Sequence, residues 1–183
     1  MKPITRAAAA LAAICAGIAV PSLAGADQEH TVNAFAAWQG RGQMYATGPT
    51  RATFVGSLSG MVFVETDKGP QNAGLMICPA IVDVDTTNGT QEGKGRCTMV
   101  TEDGARAFGE IACKGVHLIG CDGNFTFTGG TDRFTGISGG GPVTIRGGFH
   151  EFSLTAGNTI NETAGGIMFW QKLTYKLPDP PKQ

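Results

Sequence analysis

A glycine-rich stretch, NFTFTGGTDRFTGISGGG (Asn124–Gly141), has a composition that could hold a phosphate or carry a nucleophile. A phosphate-binding loop must open a helix, whereas the residues after this stretch predict a strand. Gly136–Gly140 fits the G-x-S-x-G pattern of a serine nucleophile, but that pattern requires a strand-to-helix turn and an acid that precedes the histidine. Here His150 precedes Glu151. The stretch is therefore predicted to form a sharp corner in a β-structure.

Arg133 is predicted to stabilise this corner. Backbone carbonyl groups lose their ladder partners at a bend, and a guanidinium carries five N–H donors in a fixed fork. We therefore expect Arg133 to donate to several of these carbonyl groups. If Gly130 needs a positive φ in the same turn, Gly130→Val is expected to destabilise the barrel more than Arg133→Ala.

Polar groups that point into a cavity could bind a ligand or transfer a proton. The candidates are Glu65, Glu110, His117, Arg133, His150 and Glu151. For each of them a solvated side chain on a strand or loop is the simpler interpretation. DVDTTNG from Asp83 begins like a calcium loop, but Asn88 stands where glycine is required and Lys94 where the bidentate acid belongs. No metal and no cofactor is predicted.

Four cysteines follow the N-terminal region: Cys78, Cys97, Cys113 and Cys121. An even number in an exported chain predicts two disulfides, and a zinc site is disfavoured because no pair has C-x-x-C spacing. A hairpin turning at Asn88-Gly89 brings Cys78 within about two residues of facing Cys97, so that a bulge could align them. Cys113 and Cys121 can close a short local loop. We predict these two pairs.

The N-terminus has the pattern of a signal peptide. Lys2 and Arg6 precede the apolar run Ala7–Val20, and the small residues Ala24–Ala26 follow. This order predicts cleavage after Ala26, so that the mature protein begins at Asp27 and is secreted or periplasmic.

The mature chain is predicted to be one domain. Lipid attachment at Cys15 is disfavoured because Ile14 is bulky where a small residue is needed. Removing 26 of the 183 residues leaves 157, with a domain over 27–177 and a solvated tail over 178–183. The leader contains two of the 14 basic residues and none of the 15 acidic ones, so the mature formal charge is −3. Neither nucleic-acid binding nor membrane insertion is predicted.

Short runs rich in Val, Ile, Phe and Thr recur between turn signals, which predicts an all-β protein. The expected strands are RATFVG from Arg51, GMVFVET from Gly60, GLMICPAIVDVD from Gly74, GRCTMVTE from Gly95, RAFGEIACKG from Arg106, HLIGCDGNFTFTG from His117, PVTIRGGFHEFSL from Pro142 and GIMFWQKLTYKL from Gly166.

About eight antiparallel strands must form two packed sheets or close into a barrel, and we favour the barrel because closure removes exposed edges. In the last strand Ile167, Phe169 and Leu173 share one face, and Met168 and Trp170 share the other. Its first half is therefore expected to be buried on both sides, under the N-terminal segment or a partner subunit.

FTFTGGTDRFTGISGGG (Phe125–Gly141) resembles the G-G-T-G-R-F-x-G-x-x-G stretch of the allene oxide cyclase and dirigent-like β-barrels, which include secreted bacterial members. The similarity runs from TFVGSLSGMVFVE to WQKLTYKLP. It implies an eight-stranded antiparallel, calycin-like barrel with an apolar cavity, often oligomeric. Asp132 departs from the glycine of the pattern. None of the family's catalytic residues can be matched here, so its activities do not transfer.

Three functions are consistent with the sequence. The favoured one is a non-catalytic exported barrel that binds a small apolar or amphipathic molecule and is a possible homo-oligomer. The alternatives are a cyclase or isomerase acting in the cavity, and a structural exported protein with a partner-binding surface.

Overall fold

The computed structural model describes residues 28–155 and 159–178. The predicted leader (1–26) lies outside these residues, as does the predicted tail beyond residue 178. The described chain forms eight strands and one turn of 3-10 helix (Asp132–Phe134). The strands are β1 (Gln28–Gly48), β2 (Arg51–Thr66), β3 (Gly69–Asp85), β4 (Thr90–Val100), β5 (Arg106–Val116), β6 (Gly120–Gly130), β7 (Ser138–Leu154) and β8 (Ile160–Leu177).

Each strand is antiparallel to the next, and β1 also pairs with β8, which closes the barrel. Closure gives every strand two hydrogen-bonded neighbours. The predicted fold class, an all-β antiparallel barrel of about eight strands with two disulfides, is confirmed. Across the described ranges there is no helix long and apolar enough to span a membrane.

Two differences from the sequence prediction concern which segments form separate strands. β2 is one strand, Arg51–Thr66, where the sequence analysis expects separate strands at Arg51 and Gly60. The N-terminal segment is itself strand β1, so the expectation that it covers β8 from outside was wrong. Its inward-facing residues include Ala34 and Ala36. Alanine has low strand propensity, which makes the alternation of β1 hard to recognise.

A bulge in β8 changes which side chains face inside. Asn33 of β1 lies opposite two residues of β8, Gln171 and Lys172. Lys172 adopts φ 63° there, and its backbone N–H donates to Asn33 Oδ1 at 3.2 Å. Leu173 is consequently buried inside with Trp170, whereas strict alternation places it on the outer face.

Large side chains fill the centre of the barrel. Trp38, Met76, Phe125, Met168 and Trp170 are buried in one cluster, which we call the central plug. The ring of Phe125 meets that of Trp170 edge to face at 6.0 Å. An eight-stranded barrel is just wide enough for such side chains. Cavities occur on both sides of the plug.

The two ends of the barrel are named here by a residue at each. The His150 end carries the β1–β2, β3–β4, β5–β6 and β7–β8 connections, and the Arg133 end carries the β2–β3, β4–β5 and β6–β7 connections. The start of β1 and the end of β8 also lie at the Arg133 end.

The outer surface divides into a charged part and an apolar part. Ion pairs join neighbouring strands from β4 to β7: Arg96–Glu110 at 3.2 Å, Lys114–Glu92 at 2.7 Å and Arg146–Asp122 at 3.1 Å. On β8, β1, β2 and β3 apolar side chains form what we call the apolar outer face: Phe35, Met61, Phe63, Leu75, Ile77, Ile167 and Phe169. The outer side of β8 is thus partly exposed in the single chain, where the sequence analysis expects burial.

Both predicted disulfide pairs are present. Ile77 pairs with Thr98 and Ala80 with Gly95, so Cys78 and Cys97 lie directly opposite without a bulge, with Cα atoms 4.1 Å apart. The β3–β4 connection is long enough to bring them into register, so the expected bulge was wrong.

Cys113 and Cys121 lie on β5 and β6, diagonally across the ladder because Gly115 is the residue paired with Cys121. Their Cα atoms are 5.5 Å apart. All four cysteines are buried and face the interior, so the disulfides belong to the core.

Candidate functional site

The His150 end contains a cavity of about 120 Å³, the His150 cavity. Its wall is mainly apolar and includes Trp38, Met44, Phe54, Val84 and Ile111, together with three of the disulfide cysteines. The polar side chains in the lining are Gln91, Lys94, His117, His150 and Glu162. An apolar pocket with a few polar groups has the composition of a small-molecule site.

A β-bulge in β7 places His150 inside the barrel. Gly148 is an extra residue between the paired residues Gly147 and Phe149. Strict alternation from Gly147 would turn Phe149 inward and His150 outward. The extra residue reverses this order, so His150 faces inward opposite Ala164.

Glu162 is the partner of His150. Its Oε1 lies 2.9 Å from His150 Nδ1, and the exposed fractions of the two side chains are 8% and 18%. Glu162 was not among the residues predicted from the sequence, although it shares one face of β8 with Ala164, Met168 and Trp170. That alternation was the available signal, because a glutamate in phase with buried apolar residues points into the core.

Two nitrogen atoms in the lining side chains are buried and have no hydrogen-bond partner within the described residues: Trp38 Nε1 and His150 Nε2. An indole nitrogen only donates, whereas an imidazole nitrogen donates or accepts according to its protonation. A buried polar atom without a partner costs about 1 to 3 kcal/mol. A ligand that reaches either atom with a polar group removes this cost.

His117 lies at the same end, in the β5–β6 turn. Its backbone N–H donates to the Gly89 carbonyl at 2.8 Å, and its Nδ1 lies 3.4 Å from Gln91 Oε1. Burial lowers the pKa of His117, the Glu162 carboxylate acts in the opposite direction, and His150 lowers the pKa further. His117, His150 and Glu162 thus form one electrostatic cluster, the His150 cluster.

The other predicted site residues lie elsewhere. Glu65 and Glu151 are exposed on β2 and β7, and Glu110 is on the outer face of β5, paired with Arg96. Arg133 is at the opposite end of the barrel. Of the six candidates, the structure brings together only His117 and His150.

Arg133 does not have the expected partners. Its Nη1 lies 3.1 Å from Asp103 Oδ2, and its guanidinium lies 5.0 Å from the centre of the Phe134 ring. The carbonyl groups of the bend accept hydrogen bonds from backbone N–H groups instead. The Phe134 N–H donates to the Thr131 carbonyl oxygen at 2.9 Å, and the Thr135 N–H donates to that of Asp132 at 3.0 Å. A short 3-10 turn satisfies these carbonyl groups, so the expectation that Arg133 donates to them was wrong.

At this corner Gly129, Gly136, Gly139 and Gly140 take positive φ, whereas Gly130 does not. A Cβ atom on Gly130 would lie 2.6 Å from the Phe134 carbonyl oxygen and 2.7 Å from that of Arg106. Gly130 is therefore needed for close packing of two chain segments rather than for its conformation.

The His150 cluster can hydrogen-bond a polar ligand and can hold or move a proton. A carboxylate on Nδ1 fixes the orientation of the imidazole and leaves Nε2 as the ring atom that can face a ligand. Within residues 28–155 and 159–178 no three side chains of the types that bind metals are grouped closely enough to hold an ion.

No family model matches the chain, and no curated protein matches it. The resemblance to the allene oxide cyclase and dirigent-like barrels therefore stays a prediction. The class that the fold itself defines is a closed, eight-stranded, disulfide-linked antiparallel barrel.

Proposed function

We propose that this protein is an exported barrel that binds a small, largely apolar molecule with one hydrogen-bonding group in the His150 cavity, without transforming it. The observation that carries this proposal is the buried His150–Glu162 pair in a mainly apolar wall. A cavity of about 120 Å³ suits a compact ligand, since an engineered cavity of about 150 Å³ holds benzene. The predicted resemblance to ligand-binding barrels supports the same function.

Export is the second part of the proposal. Two disulfides form inside the barrel, and such bonds persist in oxidising compartments. Together with the predicted leader, they support a secreted or periplasmic protein whose mature chain starts at Asp27. N-terminal sequencing of exported material checks this start, and a chain that begins at Met1 or at a lipidated Cys15 contradicts it.

Phenol and toluene test the binding function because they differ by a hydroxyl in place of a methyl group. Isothermal titration calorimetry of the mature protein should show saturable binding of phenol, weakened by Glu162→Leu, which removes the carboxylate. Glu151→Leu, on the outer side of β7, is the matched control and should leave the affinity unchanged. Equal affinity for phenol in both variants, or no binding of either compound, contradicts the proposal.

An isomerase is the second candidate, and one observation favours it. A carboxylate that orients an imidazole, as Glu162 orients His150, is an arrangement used in general base catalysis. Such a base would remove a proton from a carbon beside a carbonyl group and return it to another carbon, with no redox change. Cyclohex-3-enone is a suitable substrate, because its conjugated isomer absorbs in the ultraviolet. Catalysed isomerisation that is lost in His150→Gln would favour this candidate over binding alone.

A homo-oligomer is the partner that we propose, and the apolar outer face supports it. Phe35 and Phe63 stack on this face at 5.2 Å, and Phe35 also pairs in register with Phe169. Exposed apolar patches of this kind are typical of interaction surfaces. Light scattering after size exclusion should show more than one subunit for the mature protein and one for Phe63→Lys. A monomeric wild-type protein contradicts the oligomer and leaves the ligand proposal unaffected.

A further inference from the structure

A second cavity, of about 600 Å³, opens at the Arg133 end. It lies on the other side of the central plug from the His150 cavity, and their linings share no residue. Its volume is within the range of about 300 to 1,000 Å³ of small-molecule sites. The space is thus large enough for a ligand of its own.

The lining of this Arg133 cavity combines apolar side chains with polar and charged ones: Asn72, Thr101, Glu102, Asp103, Arg133 and Tyr175. Val62, Met99, Phe127 and Leu173 are among the lining residues, and so is Trp170. Trp170 is 0% exposed, and its Nε1 has no hydrogen-bond partner in the part of the chain that the structure describes. An indole N–H can only donate, so the group that satisfies it is an acceptor.

The charges in the lining disfavour an anionic ligand. Arg133 is neutralised by Asp103 at 3.1 Å, and Glu102 adds a negative charge beside them. An anionic head group would meet this negative balance, and an ammonium group carries only donors, so it cannot accept the hydrogen bond of the Trp170 indole. Carbonyl and ether oxygens accept hydrogen bonds without charge.

We infer that the Arg133 cavity is a second binding site, for an uncharged, largely apolar molecule whose carbonyl or ether oxygen accepts a hydrogen bond from Trp170 Nε1. The two ends of the barrel then carry different sites: one with an imidazole–carboxylate pair at His150 and one with an indole donor at Trp170. This second site does not depend on the ligand proposed for the His150 cavity.

The chain has two tryptophans, which allows each cavity to be observed separately, since Trp38 lines the His150 cavity and Trp170 lines the Arg133 cavity. The Trp38→Phe variant leaves Trp170 as the only tryptophan, which is excited selectively over tyrosine at long wavelength, and the Trp170→Phe variant leaves Trp38. Cyclooctanone and cyclooctane are the compounds to titrate, because they differ by the carbonyl oxygen.

Cyclooctanone should change the Trp170 emission of Trp38→Phe in a saturable manner. By calorimetry it should bind Trp170→Phe about three- to tenfold more weakly than wild type, the loss expected for one hydrogen bond. Cyclooctane should bind the two proteins equally. A Trp170 emission that stays constant up to the solubility limit, a response of Trp38 alone, or equal affinity of the ketone for wild type and Trp170→Phe overturns the inference.

Discussion

His150 Nδ1 and Glu162 Oε1 lie 2.9 Å apart on adjacent strands, inside the barrel and largely out of contact with water. Burying such a pair costs desolvation free energy. The attraction between the two groups offsets that cost only when their geometry is good. In this barrel it depends on the extra residue Gly148, which turns His150 inward to meet Glu162. Apolar side chains at positions 150 and 162 would be sufficient for a stable core. We therefore assign the pair to function.

Removing the carboxylate should destabilise the protein, because His150 then keeps a buried polar ring without its partner. We expect Glu162→Ala to lower the free energy of unfolding by about 2 to 4 kcal/mol. Urea denaturation measures the change. Glu151→Ala, exposed on the neighbouring strand, should stay within about 0.5 kcal/mol of wild type. If both variants unfold alike, the pair has no energetic importance.

His117 should make stability depend on pH. Its pKa is lowered in the folded state mainly by burial, so between that value and the ordinary 6.5 the unfolded chain binds more protons. The stability that depends on neutral His117 is therefore present above pH 6.5 and is lost as the pH falls through the folded-state pKa. Urea midpoints at about pH 7.5 and about pH 5 should differ less in His117→Gln than in wild type. If the midpoint changes by the same amount in His117→Gln as in wild type, His117 is not the source of the pH dependence.

Each disulfide should stabilise the barrel by restricting the unfolded chain. Cys78 and Cys97 are separated by 19 residues, and Cys113 and Cys121 by 8. Replacing the first pair by alanine should cost about 3 kcal/mol, and replacing the second slightly less. Urea denaturation of the two double variants under non-reducing conditions shows which disulfide contributes more to the free energy of unfolding. The reverse order would show that core packing, rather than loop length, decides the contribution.

At the Arg133 end, Arg133→Ala should destabilise the protein less than Gly130→Ala. Arg133 and Asp103 are both more than half exposed, so Arg133→Ala should cost no more than about 1 kcal/mol. Gly130→Ala forces a methyl group against two carbonyl oxygens and should cost about 1 to 3 kcal/mol. Thermal unfolding compares them. A larger effect of Arg133→Ala would restore a structural role for the guanidinium.

Strand periodicity, turn residues and cysteine spacing were sufficient to predict the barrel and both disulfide pairs. They were insufficient wherever a bulge shifts the alternation, because one extra residue reverses every side chain beyond it. Leu173 and His150 are both placed by such bulges. Strand β1 was missed for another reason, since small residues at its inward positions resemble a loop.

The site was only partly predictable for the same physical reasons. His117 and His150 were among the candidates as polar side chains that could point into a cavity, but their proximity depends on the closure of the barrel. Glu162 follows Asn161 in a polar segment, which concealed its phase with the buried residues of β8. The second cavity could not be predicted, because it results from where the central plug leaves space.

The most direct test of the His150 cavity is a nuclear magnetic resonance spectrum of the imidazole nitrogens. The chain has three histidines, and His30 stacks on Tyr175 at the opposite end of the barrel, which makes it an internal control. Saturating phenol should shift the His150 and His117 resonances and leave His30 unchanged, and Glu162→Leu should weaken the response. If phenol binds while the His150 nitrogens keep their shifts, or if all three histidines respond equally, the assignment of the ligand to the His150–Glu162 pair is wrong.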